Sequence, residues 1–192
     1  MSGQAAWLAV TALLAACALL GWHLNPGTLD WQTALAVSQP WRAFTAVGVH
    51  YSVQHLFGNL AGVALAGVFG VVALVPARMA WAWLAAWPLT HLGLLVKPQL
   101  AHYGGLSGVV HAGVAVVIVF VLVSGTLRQR LVGSAVLVGF CAKLLSESPG
   151  GEALRHPIGW DIAVAPIAHT TGAVAGAACA VLAQWLHRRC AS

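Results

Sequence analysis

The sequence predicts an all-α membrane protein, a bundle of six transmembrane helices, on three observations. Of its 192 residues 60% are hydrophobic and only 7% are charged, a balance that a water-soluble domain of this size does not carry. Six apolar runs approach the ~20 residues with which a helix crosses a hydrocarbon core of ~30 Å. Residues that stop or redirect helices fall between them: Pro26, Pro40, Pro76, Pro98, Pro149 and Pro157. The runs cover residues 5–22, 53–75, 79–96, 107–126, 131–145 and 162–186. No internal repeat or low-complexity linker divides them, so residues 1–192 read as a single domain.

The first run contains Leu14-Ala15-Ala16-Cys17, which looks like a lipoprotein cleavage box. No Lys or Arg precedes it and the first basic residue is Arg42, so it reads as an uncleaved span. The connector that follows, from His23 to His50, carries Trp31 and Trp41, which suggest that it lies on or partly in the bilayer surface. In the second run His55 and Asn59 are four apart and project from one face near its start. The third run lies between Pro76 and Pro98. The fourth opens on Gly104-Gly105-Leu106-Ser107-Gly108. The fifth holds Lys143, placed either to pair with Glu147 one turn on or to snorkel outward. The sixth carries His169 near its start, followed by Gly172 and Gly176 at small-xxx-small spacing. Trp7, Trp22, Trp81, Trp160 and Trp185 fall near the ends of runs, where amphipathic rings anchor at headgroup level. Cys17, Cys141 and Cys179 sit in apolar runs and Cys190 in a basic tail, without the spacing of a disulfide framework or a zinc site.

Six spans place both termini on one side of the membrane, together with Arg78, Arg128, Arg130, Arg188 and Arg189. The opposite connectors hold Arg42, Lys97 and Arg155. The positive-inside bias therefore predicts cytoplasmic termini and an external first connector. Nine Lys and Arg against four acids give a net charge of +5, too sparse for a nucleic-acid surface, and no nucleic-acid partner is expected.

Polar side chains within spans are costly and default to function, which singles out His55, Asn59, Ser107, His111 and His169. Ser107 heads the fourth helix between glycines that admit close backbone approach. A helix N-terminus presents free N–H groups and a positive dipole to a developing oxyanion. The clean apolar stretch behind it, Val109 to Val123, spans only ~22 Å at 1.5 Å per residue, so Ser107 lies below the outer surface and needs a water-filled cavity. A hydroxyl is a poor nucleophile until a base takes its proton, and His169, at similar depth, is the candidate. His55 and Asn59 can donate to an oxyanion beside Ser107, or form a plain interhelical hydrogen-bond pair.

These residues form an ordered set. Trp41-Arg42, then His50, His55 and Asn59 as His-x4-His-x3-Asn, then Gly105-Leu106-Ser107-Gly108, then Ala168-His169-x-x-Gly172, resemble the rhomboid intramembrane serine proteases. The resemblance implies a six-helix rhomboid-like bundle with Ser107 as nucleophile and His169 as general base. It gives His55, Asn59 and the Ser107 backbone N–H to an oxyanion hole, His50 to the region beneath the site, and Trp41-Arg42 to a membrane-embedded first loop. Gly105, Gly108 and Gly172 become packing glycines around the pair. Many bacterial rhomboids carry a Tyr four residues after the serine; this chain has His111, which can pack on His169 from one turn deeper and should then be neutral. The run Gly-Leu-Ser-Gly-Val-Val-His on a compact chain looks like the rhombosortase subgroup. That implies a bacterial inner membrane protein, opening to the periplasmic side, that processes transmembrane or C-terminally anchored substrates with a Gly-Gly motif.

The resemblance further implies acyl transfer by a Ser-His dyad, with no cofactor and no metal. None of the acids, Asp30, Glu147, Glu152 or Asp161, is placed by the sequence to orient His169, although Asp161 lies eight residues before it. Two other classes stay open. One is a catalytically inactive rhomboid-like protein that binds transmembrane clients. The other, suggested by nine His, is a metal or haem membrane protein, against which stand the few acids and the lack of a His-Glu-x-x-His motif.

Overall fold

A computed structural model describes residues 2–191. Among the described residues eight α-helices run in the order α1 (Gly3–Gly21), α2 (Pro26–Leu29), α3 (Arg42–Thr45), α4 (Val53–Val72), α5 (Ala77–Leu92), α6 (Ser107–Ser124), α7 (Leu127–Ser146) and α8 (Pro166–Ala191). Six of them, α1, α4, α5 with the 3-10 turn that carries it on to Val96, α6, α7 and α8, are long and apolar enough to cross a membrane, so the chain is a multi-pass all-α membrane protein. The short α2 and α3 belong to the first connector. Among the described residues the only extended pairings are two isolated bridges, Trp31 with Tyr103 and Arg155 with Val164.

Two helix starts differ by four residues from the periodicity-based expectation, for local reasons. The fifth span starts at Leu127 because Thr126 and Gln129 form a capping box, each side chain bonded to the other's backbone N–H. The sixth starts at Pro166, four residues later than its apolar pattern. The residue before a proline is biased to extended backbone, Pro166 itself suits the first helical position, and Val164 is already bridged to Arg155. His169 therefore stands in the first turn of α8, as Ser107 opens α6.

The helix α6 is the centre of the bundle, with 56% of its apolar stretch buried against 6% for α7. It packs on α8, α5, α7 and α4, while α1 closes the far side against α4 and α5. Lipid tails are as apolar as the helix faces, so association relies on close packing and interhelical hydrogen bonds. Glycines supply the room. Gly70 seats the Trp7 indole and Gly113 the Trp83 indole, and the two rings meet with centres 4.4 Å apart and planes tilted by 30°. Their N–H groups donate to Ala66 O at 3.1 Å and Val109 O at 2.8 Å. Trp7 is thus a core residue, not a headgroup anchor, whereas Trp81, Trp160 and Trp185 are exposed as anchors should be.

The first connector is pinned by a buried ion pair. The Arg42 guanidinium donates to Asp30 Oδ1 at 2.9 Å, to Asp30 O at 2.6 Å and to Gly27 O at 3.1 Å. His102 contacts the other Asp30 oxygen at 2.6 Å, joining this connector to the one that leads into α6. Trp31 is fully buried between them, packed with Leu94, Leu100 and Tyr103, so of the two connector tryptophans only Trp41 faces outward.

Candidate active site

The chain order brings the N-termini of α4, α6 and α8 to one end of the bundle, and the polar residues collect there. Ser52 caps α4 by accepting from the His55 N–H at 3.0 Å, and its hydroxyl donates to Asp161 at 2.8 Å, which ties α4 to the segment before α8. Asp161 is therefore engaged away from His169.

On α6 and α8 the approach is set by small residues. A Cβ on Gly172 would overlap the Gly108 carbonyl oxygen, and one on Gly176 would overlap that of Ala112. A Cβ on Gly108 would stand 2.8 Å from Ala168 O. With the backbones this close, His169 Nε2 lies 3.0 Å from Ser107 Oγ. The hydroxyl can donate to the imidazole when Nδ1 carries the ring proton.

His111 lies one turn below Ser107 and stacks on His169, with ring centres 4.2 Å apart and 14° between planes. Its Nδ1–H donates to the Ser107 carbonyl at 2.7 Å. The packing place expected for the Tyr-to-His change is occupied.

Gly105 adopts φ +135°, a conformation that favours glycine, and a Cβ there would come within 2.8 Å of His55 Nε2 and 3.6 Å of Asn59 Nδ2. His55 and Asn59 thus face the turn that precedes Ser107. The Asn59 side-chain Nδ2 is buried without a hydrogen-bond partner, a costly state for an amide donor. His50 packs under His55, rings 4.8 Å apart, with Nδ1 3.3 Å from Gly48 O. Burial holds its imidazole below the ordinary range, offset in part by the Gly48 carbonyl.

A cavity of about 540 Å³ opens over these groups, lined by Asn59, Ser107, His111, Glu147, Trp160 and His169 among others. It leaves the Ser107–His169 contact open to solvent-sized molecules from one side.

One participant was missed. Glu147 Oε2 lies 2.7 Å from His169 Nδ1, and Glu147 Oε1 lies 3.0 Å from Lys143 Nζ. Of the two places the sequence leaves open for Lys143, pairing with Glu147 or snorkelling outward, the structure shows the first; the expectation that no acid orients His169 is corrected, since Glu147 reaches it. Burial pushes the Glu147 carboxyl up, but its hydrogen bond to His169 and the charges of His169 and Lys143 outweigh this and hold it at about 2. The available signal was an ionisable pair at the C-terminal end of the fifth span, where such residues default to function.

A family model described as Rhomboid domain matches residues 37–185, which takes in every residue of this constellation. No curated protein and no solved structure matches the chain. The helical order and the family match agree on the same stretch of sequence: the chain belongs to the rhomboid family, whose members are generally serine intramembrane proteases.

Proposed function

We propose that the protein is an intramembrane serine endopeptidase in which Ser107 attacks a substrate carbonyl and His169 acts first as base and then as acid. The observation that carries this reading is the Ser107 Oγ to His169 Nε2 distance of 3.0 Å at the floor of an open cavity. His169 takes the hydroxyl proton as the Oγ–C bond forms, and the carbonyl becomes a tetrahedral oxyanion. Asn59 Nδ2, His55 and the Ser107 backbone N–H are the donors for that charge. The unpartnered Asn59 amide supports this, since it gains a partner only when an oxyanion arrives. His169 then returns the proton to the leaving amine, and water from the cavity releases the acyl enzyme by the same steps in reverse.

Substrates in this reading are transmembrane or C-terminally anchored proteins that enter from the bilayer and unwind near small residues. The narrower rhombosortase-type role, processing Gly-Gly anchors at the periplasmic face of a bacterial inner membrane, is supported by His111 in its packing place and by the charge bias of the connectors.

The direct test is labelling of the purified protein with a fluorophosphonate probe, with the adduct mapped by mass spectrometry. The expected adduct is on Ser107; a protein that stays unlabelled and cuts no transmembrane substrate would be a client-binding member of the family without catalysis. A second expectation concerns the oxyanion donors. Asn59→Ala should lower kcat by roughly 10²–10³-fold with little change in KM, the effect of removing one preorganised donor. Steady-state cleavage of a transmembrane substrate in detergent or proteoliposomes measures it, and an unchanged kcat would return Asn59 to a packing role.

A further inference from the structure

Lys143 in the last turn of α7 and Glu147 at its C-cap do more than line the cavity. His111 donates from Nδ1 to the Ser107 carbonyl, so its Nε2 must accept, and the group against that nitrogen is the Lys143 ammonium. Lys143 also meets Glu147 Oε1, Glu147 Oε2 meets His169 Nδ1, and His169 Nε2 meets Ser107 Oγ. One proton assignment satisfies all five contacts. Ser107 O–H donates to His169, His169 Nδ1–H to Glu147, Lys143 to both Glu147 and His111, and His111 Nδ1–H to the Ser107 carbonyl. Lys143 Nζ also lies 3.2 Å from His169 Nδ1, but that nitrogen cannot accept from the ammonium while it donates to the carboxylate.

We propose that Glu147 is a positioning residue for His169, and that the Lys143–Glu147 pair at the C-terminal end of α7 closes a ring of hydrogen bonds that begins and ends on Ser107. The ring fixes both histidine tautomers. The carboxylate holds the proton of His169 on Nδ1, which leaves Nε2 free to accept the Ser107 proton, and it faces the imidazolium that then forms. The ammonium donates to His111 and so keeps that ring neutral under His169, where a second imidazolium would oppose the first. Lys143 also balances Glu147, so the resting ring carries no net charge. The groups that face His169 are His111 from α6, Lys143 from the last turn of α7 and Glu147 from its C-cap, and His55 of α4 is near enough for its charge to be felt. Apart from Gly133, α7 buries no residue in the bundle, yet its last turn and the C-cap that follows it supply both poles of the ring, Lys143 and Glu147. The helix is thereby coupled to the catalytic pair: when its end is drawn away, His169 loses the partner that sets its tautomer.

This inference rests on the Ser107–His169 reading, and the experiment separates the two. The rate of fluorophosphonate labelling needs no natural substrate and is measured against pH for wild type, Glu147→Gln and Glu147→Asp, with kcat and KM for a transmembrane substrate alongside. In Glu147→Gln the amide donates to Nδ1, moves the ring proton to Nε2 and turns it against the serine. Labelling rate and kcat should fall about 100-fold with KM nearly unchanged, short of the ~10⁴-fold seen where a fully buried carboxylate is replaced. The acid limb of the residual rate should move to lower pH because the imidazolium has lost its counter-ion. Glu147→Asp should recover most of the loss. A proton NMR signal of a hydrogen-bonded His169 Nδ1–H should be present in wild type and Ser107→Ala and absent in Glu147→Gln, whether or not the protein cuts. Glu147→Gln labelling at the wild-type rate with an unmoved acid limb overturns the positioning role, as does the lack of that signal in wild type. Wild type that is neither labelled nor active overturns the protease reading instead, and the NMR comparison still decides the ring.

Discussion

Ser107→Ala is expected to insert and fold as the wild type does and to cut no transmembrane substrate, and His169→Ala is expected to be as inert although its serine remains. Each should lose on the order of 10⁴-fold or more in kcat/KM, because a hydroxyl and its base act as one unit. The decisive measurement is the double variant. If Ser107 Oγ hands its proton to His169 Nε2 across 3.0 Å, removing the second group costs almost nothing once the first is gone, so the double variant should be no slower than either single one. Labelling follows the same logic, and His169→Ala should take up the probe poorly despite its intact hydroxyl. Cutting retained by Ser107→Ala, or losses that multiply in the double variant, would mean that the two side chains are neighbours without a shared proton.

The pair was legible in the sequence because each member carries a local mark. Ser107 stands between glycines at the head of an apolar run, and His169 comes just before Gly172 and Gly176, whose small-xxx-small spacing lets two helices touch. The six spans were legible from hydropathy alone, since a bilayer imposes length and composition more strictly than a soluble core does. Other features needed the third dimension. Trp7 and Trp31 read as interfacial by position, yet both are fully buried, one seated on Gly70 and the other closed in by Leu100 and Tyr103. No periodicity in α1 identifies Gly70 of α4 as its socket. Glu147 was hidden for a similar reason. Its i,i+4 partner Lys143 explained it locally, and a carboxylate has two oxygens; the second reaches His169 only because the end of α7 stands beside the start of α8. The start of α8 at Pro166 was within reach, for the proline is plain in the sequence and marks a first helical turn better than the apolar pattern does.

The largest structural effect should come from a residue with no chemistry of its own. Gly172→Val places a branched side chain where even a Cβ would overlap the Gly108 carbonyl oxygen. Overpacking costs about 1–3 kcal/mol when neighbouring side chains can shift, and here the neighbour is helix backbone, so the loss should reach or exceed about 3 kcal/mol. Gly172→Ala should already be damaging, while Gly139→Ala, on the open face of α7 with nothing within 4 Å, is the matched control. That control should be neutral or gain up to about 1 kcal/mol from helix propensity. Unfolding in mixed micelles measures the stability difference. Any Gly172 variant that still folds must hold α8 away from α6, which lengthens the Ser107–His169 contact, and a shift of about 1 Å can cost roughly 10²-fold in rate. Stability and activity should therefore fall together at position 172 and at neither level at position 139. If Gly172→Ala proves as stable and as active as Gly139→Ala, the two helices are not held by backbone contact at Gly108, and the short distance on which the chemistry depends has some other cause.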